Sequence, residues 1–73
     1  MEALIPVCLI DQNDQPVVED HIQELVEILD SGTRLPAITL RRTGDRYRVV
    51  DGRHRLAALR RSGRTHARAR ITL

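Results

Sequence analysis

Lysine, phenylalanine and tryptophan are all missing from this chain of 73 residues, and tyrosine and cysteine occur once each, as Tyr47 and Cys8. Without aromatic rings the core has to be aliphatic, and no stacking platform for nucleic-acid bases is available. A single cysteine excludes an internal disulfide and a cysteine-rich metal site, and it fits a reducing compartment. No apolar run approaches the roughly 20 residues needed to cross a bilayer. Met1 is not followed by the basic region and apolar core of a signal peptide, so a cytoplasmic location without a membrane partner is expected.

What is present is a length close to the floor for unaided folding, with 41% hydrophobic residues, which implies one domain over residues 1–73. Charge is divided sharply. Residues 1–33 hold eight acids and no arginine, a charge of −8; residues 34–73 hold all twelve arginines with only Asp45 and Asp51, a charge of +10. Such asymmetry points to a phosphate-bearing partner, or to two surfaces that attract one another within or between chains, so a homo-oligomer is among the expected states.

Residues 4–10 form a short apolar run that reads as a buried strand, with Pro6 placing it at a sheet edge or at the strand's start. "DQNDQP", residues 11–16, is a loop by composition. Ile22, Leu25, Val26 and Leu29 then follow the spacing of an amphipathic helix that Gly32 should stop. "AITLRR" and "RYRVV", joined across Thr43, Gly44 and Asp45, read as a hairpin. The last segment alternates Ala67, Ala69, Ile71 and Leu73 with His66, Arg68, Arg70 and Thr72, as a strand does. The order β-α-β-β-α-β predicts an α+β domain with a small mixed sheet and two helices.

The stretch "DGRHRLAALRRSG", residues 51–63, reads as the second helix, capped by Asp51 or Gly52 and stopped by Gly63. Its first turn holds Arg53, His54 and Arg55. Cations at a helix N-terminus oppose the dipole at a cost of about 0.3–1 kcal/mol each, so an anion is the natural reason to keep them. Gly52 would let a ligand approach the backbone, the first-turn amides would point at it, and Arg55 could grip phosphate oxygens with Arg53 and His54 adding donors or charge. The plainer alternative has Asp51 capping the helix and pairing with Arg55, leaving Arg53 and His54 in solvent. His21 and His66 read as surface residues, Cys8 as a small buried one, and three scattered histidines do not make a metal site.

The string "YRVVDGRHRLAALRRSG", after "IPVCLIDQNDQPV" and "LPAITLRR", resembles the ParB N-terminal domain family, also labelled ParB-like nuclease domain, which shares its fold with sulfiredoxin. The resemblance implies that the turn of Asp51, Gly52, Arg53, His54 and Arg55 holds the phosphates of a nucleoside triphosphate, with or without Mg: CTP as in chromosome-partitioning members, or ATP as in sulfiredoxins and free-serine kinases. Arg53 stands where sulfiredoxins carry their reactive cysteine, so sulfinic acid reduction is not expected. It also stands where CTP-hydrolysing members carry glutamate. Their Gln-Pro-Arg loop survives only as Gln15 and Pro16, with Val17 in place of the arginine, and their DNA-reading helix-turn-helix has no counterpart here. The expected function is a nucleotide-binding module, part of a DNA-partitioning or DNA-associated system. The alternatives are a nucleotide hydrolase, phosphotransferase or nuclease using Asp51 or Glu19, and an arginine-rich nucleic-acid binder.

Overall fold

A computed structural model describes residues 2–11 and 16–72. Five strands and two α-helices follow one another: β1 (Glu2–Pro6), a 3-10 turn (Val7–Leu9), β2 (Ile10–Asp11), α1 (Glu19–Asp30), β3 (Ile38–Thr43), β4 (Arg46–Asp51), α2 (Arg53–Arg61) and β5 (His66–Thr72). The sheet is mixed, in the order β1-β5-β3-β4-β2. β1 is antiparallel to β5 and β3 to β4, while β3–β5 and β2–β4 are parallel. The α+β class and the order of elements are those the sequence predicts, with one refinement. The apolar run at residues 4–10 is two strands, interrupted by the 3-10 turn after Pro6, and they lie at opposite edges of the sheet.

That split sets the shape of the domain. In a flat sheet the outer strands of five stand about 19 Å apart, whereas the four residue steps from Pro6 to Ile10 reach at most about 14 Å. The sheet must therefore curl until its edges converge at the Val7–Leu9 turn. Arg60 clamps that turn from α2, donating through Nη2 to the carbonyls of Ile10 (2.6 Å) and Val7 (3.4 Å). Arg46 holds it from the other side through Asp11 and the Cys8 carbonyl. Cys8 is exposed on this turn, not buried as its apolar neighbours imply, and Leu4 is 70% exposed.

Ile5, Ile10, Ile38, Leu40, Val49, Ala67 and Ala69 form the sheet side of the core, with Leu56 of α2 packed onto them. The amphipathic stripe of α1 is buried as its spacing predicts, and it packs on Ala58 and Leu59 of α2 and on Leu35 of the following linker. Ala58 is fully buried, and its small side chain lets the helices approach. Both helices end with the paired main-chain bonds of a glycine-stopped helix: Gly32 and Thr33 donate to Leu29 and Ile28, Gly63 and Arg64 to Arg60 and Leu59.

Candidate functional site

β4 passes into α2 through the single residue Gly52, which adopts φ +108° and serves as the helix N-cap. A Cβ at this position would lie 2.7 Å from Ile38 Cγ2. The left-handed backbone and the packing of β3 beneath the turn both call for glycine here. Asp51 does not cap the helix, because no side chain caps it and no acid stands in its first turn. The first intrahelical bond runs from the Leu56 amide to the Gly52 carbonyl at 2.9 Å. The amides before it have no acceptor within the helix.

The three basic side chains of the turn each hold a different piece of main chain. Arg53 Nε donates to the Pro16 carbonyl at 3.0 Å. His54 Nε2 accepts the Val18 amide at 2.9 Å, which places its proton on Nδ1 and caps the entry to α1. Arg55 Nη1 donates to the carbonyls of Ala37 (2.9 Å) and Pro36 (3.3 Å), and its Nη2 reaches Asp51 Oδ2 at 3.2 Å. These bonds use three of the five guanidinium donors. The plainer reading of the turn holds only in part. The Asp51–Arg55 pair exists, yet Arg53 and His54 are docked on the segment before α1 and are not loose in solvent.

Two strips of backbone, residues 16–18 and 36–37, are thus tied to the start of α2 by its own side chains. The sequence points to the turn but not to these strips, because they take part through main-chain groups with no side-chain signature. Gln15 lies outside the described residues; Pro16 takes part through its carbonyl. Burial pushes the His54 imidazole below its ordinary pKa, and the neighbouring charge of Arg53 and then His21 add to the effect. His21, read from sequence as a surface residue, packs its ring edge-on against His54 with centroids 4.8 Å apart. With His54 neutral, Arg53 and Arg55 against Asp51 leave the turn one positive charge ahead, and the helix dipole adds to that.

The other acid considered for catalysis is elsewhere. Glu19 pairs with Arg61 at the far end of α2, and the hydrogen bond from Arg61 holds its carboxyl below the usual range. That makes it a poorer general base. Among the described residues, no cluster of three or more His, Cys, Asp or Glu is placed to hold a metal ion.

No curated protein matches the chain by sequence. Solved structures do. Sulfiredoxin from Arabidopsis thaliana aligns over 99% of this chain and 84% of its own, with a TM-score of 0.85 and 19% identity. A free serine kinase in complex with AMP aligns over 97% of this chain and 30% of its own, with a TM-score of 0.86 and 26% identity. The chromosome-partitioning protein ParB from Caulobacter crescentus, C-terminally truncated and complexed with CTP-gamma-S, aligns over 99% and 44%, with a TM-score of 0.81 and 20% identity. The chain thus spans less than half of the last two. The family model of the ParB N-terminal domain matches residues 3–73, and the protein belongs to that family.

Proposed function

We propose that this domain binds a nucleoside triphosphate, with the start of α2 as the phosphate cradle. The observation that carries the reading is a helix N-terminus with glycine as its N-cap and no acid in its first turn, set between two backbone strips that its own side chains hold in place. First-turn amides, the positive end of the dipole and the remaining donors of Arg55 are what a phosphate needs. Related structures hold CTP-gamma-S and AMP, which supports a nucleotide as the ligand. Among the described residues, Asp51 is the acid beside the cradle, and Arg55 engages it.

The experiment is an NMR titration of amide shifts with ATP, CTP and GTP, each with and without magnesium. Saturable shifts centred on residues 52–55 are expected from at least one nucleotide. No saturable change there with any of them at millimolar concentration would overturn the reading.

A second reading, contact with DNA, is favoured by the open face of the sheet. Arg41 of β3 stands directly opposite Arg48 of β4, an unfavourable like-charge pair that a phosphate backbone would relieve. If that face binds DNA, the logarithm of affinity falls linearly with the logarithm of salt concentration, and Arg41→Gln with Arg48→Gln flattens the slope by about two phosphate contacts. A slope unchanged by the pair of substitutions removes this face as the contact.

A further inference from the structure

A cavity of about 660 Å³ opens at the other end of α2 from the cradle, between β1, the start of β5 and the linker from α1 to β3. It reaches α2 at Leu59, four residues or about 6 Å along the helix from Arg55, and Pro36, whose carbonyl Arg55 holds, lines it as well. The volume lies within the range of small-molecule sites. Leu29, Leu35 and Leu59 line it together with the exposed Leu4, so part of its wall is aliphatic.

Arg34, Arg64 and Arg68 line the same cavity, against Glu2 as its one acid. Among the described residues, Arg34 and Arg64 form no side-chain hydrogen bond or ion pair. Arg68 donates through Nη2 to the Leu35 carbonyl at 2.8 Å, but its Nε is buried without a hydrogen-bond acceptor, the nearest carboxylate oxygen, Glu2 Oε1, standing 3.8 Å away. That N–H has no surface open to the cavity, so a ligand there meets Arg68 only through its remaining guanidinium donors. The ends of α1 and α2 face this region, and cations beyond a helix C-terminus are favoured by the dipole. That accounts for Arg34 and Arg64 in part, but it says nothing of their meeting a third arginine and an exposed leucine around one cavity.

We propose that this cavity is a second ligand site for a small amphiphilic anion. A carboxylate or phosphate head is held by Arg34, Arg64 and Arg68, and an aliphatic body lies along Leu4, Leu29, Leu35 and Leu59. The site adjoins the nucleotide cradle at Pro36 but uses other side chains, so it does not rest on that reading.

The probes are octanoate and octyl phosphate, with octanol and inorganic phosphate as the half-ligands, followed by NMR on the whole chain. At least one amphiphile is expected to give saturable shifts at residues 29–36 and 59–68, while octanol and inorganic phosphate bind at least tenfold more weakly. Which amphiphile binds more tightly identifies the head group. Arg34→Gln with Arg64→Gln, both exposed and unpartnered and so harmless to folding, should weaken binding tenfold or more, the loss expected for charge-assisted contacts. The proposal is overturned if neither amphiphile saturates, if the double variant binds as well as the parent, or if the shifts fall on residues 52–55.

Discussion

Arg46, Arg55, Arg60 and Arg68 each donate to a main-chain carbonyl distant in sequence: that of Cys8, Ala37, Ile10 and Leu35. In a chain without lysine and nearly without aromatic residues, the guanidinium fork fastens loops that the small core cannot bury. Arg55 therefore has two jobs. Arg55→Ala is expected to weaken nucleotide affinity by about 1.5–3 kcal/mol, as loss of a charge-assisted contact does, and also to destabilise the fold by freeing the Pro36 and Ala37 carbonyls. Reading the arginine as a ligand-binding group alone would leave the fold intact; calorimetric affinity and a urea midpoint measured on one variant separate the two effects. Gly52 is tested against Gly44, which shares a positive φ but has nothing within 4 Å of its missing side chain. Gly44→Ala should cost about 1–2 kcal/mol for the backbone alone, and Gly52→Ala about 2–4 kcal/mol, because its Cβ also drives into Ile38. Equal urea midpoints for the two variants would show that Ile38 yields freely. His54 gives the pH prediction. Its folded pKa is below its ordinary value of 6.5, so the unfolded chain takes up the proton first. The stability it contributes is complete above about pH 6.5 and is lost as pH falls through the depressed folded pKa. In His54→Gln, whose amide oxygen can still accept from Val18, that portion of the pH slope should vanish; identical slopes for the two proteins would mean that protonation of His54 does not lower the stability of the fold.

At the scale of elements, α2 combines a first turn that opposes its dipole with a last turn, Arg60 and Arg61, that suits it. Arg53→Glu adds a favourable charge at the N-terminus, about 0.3–1 kcal/mol, but removes the bond to the Pro16 carbonyl. The two offset, so the urea midpoint of the ligand-free protein should move by less than about 1 kcal/mol equivalent. Nucleotide affinity should fall clearly, and a variant that binds nucleotide as well as the parent would remove Arg53 from the cradle. What could be read in advance follows the same division between local and distant causes. The stripe of α1, the alternation of β5, the hairpin and the glycine after each helix are local patterns, and each lies where its spacing places it. The separation of β1 from β2 is not local. An apolar run reports burial but not its partner strand, and Pro6, read as the mark of a sheet edge or of the strand's start, says nothing of a second half on the opposite edge. The candidate site divides likewise: the turn at residues 51–55 is written in the sequence, while Pro16, Val18, Pro36 and Ala37 contribute only backbone groups that the tertiary fold brings to it.

Across the whole molecule the −8 and +10 halves are only partly reconciled by folding. Glu2, Asp11 and Glu19 of the acidic half find arginines of the basic half. Asp20, Glu24, Glu27 and Asp30 remain exposed on α1 with no arginine among their partners, Glu24 meeting only His21. On the opposite side of the domain, Arg41 and Arg48 are exposed on the sheet face away from the helices. An acidic helix and a basic sheet face on opposite sides of one small domain complement each other between copies, not within one. A head-to-tail contact of this kind is expected to be weak and salt-sensitive, because its charges are exposed and the Debye length shrinks to about 3 Å at 1 M salt. Sedimentation at low ionic strength should therefore give an average mass above that of the monomer, falling to the monomer as salt rises. Glu24→Gln with Glu27→Gln should remove the effect without lowering the urea midpoint, since neither acid has an arginine partner within the fold. A monomer at every salt concentration would mean that the two surfaces do not recognise each other, and the opposed pair Arg41 and Arg48 would then be explained better by a phosphate backbone than by a second copy of the chain.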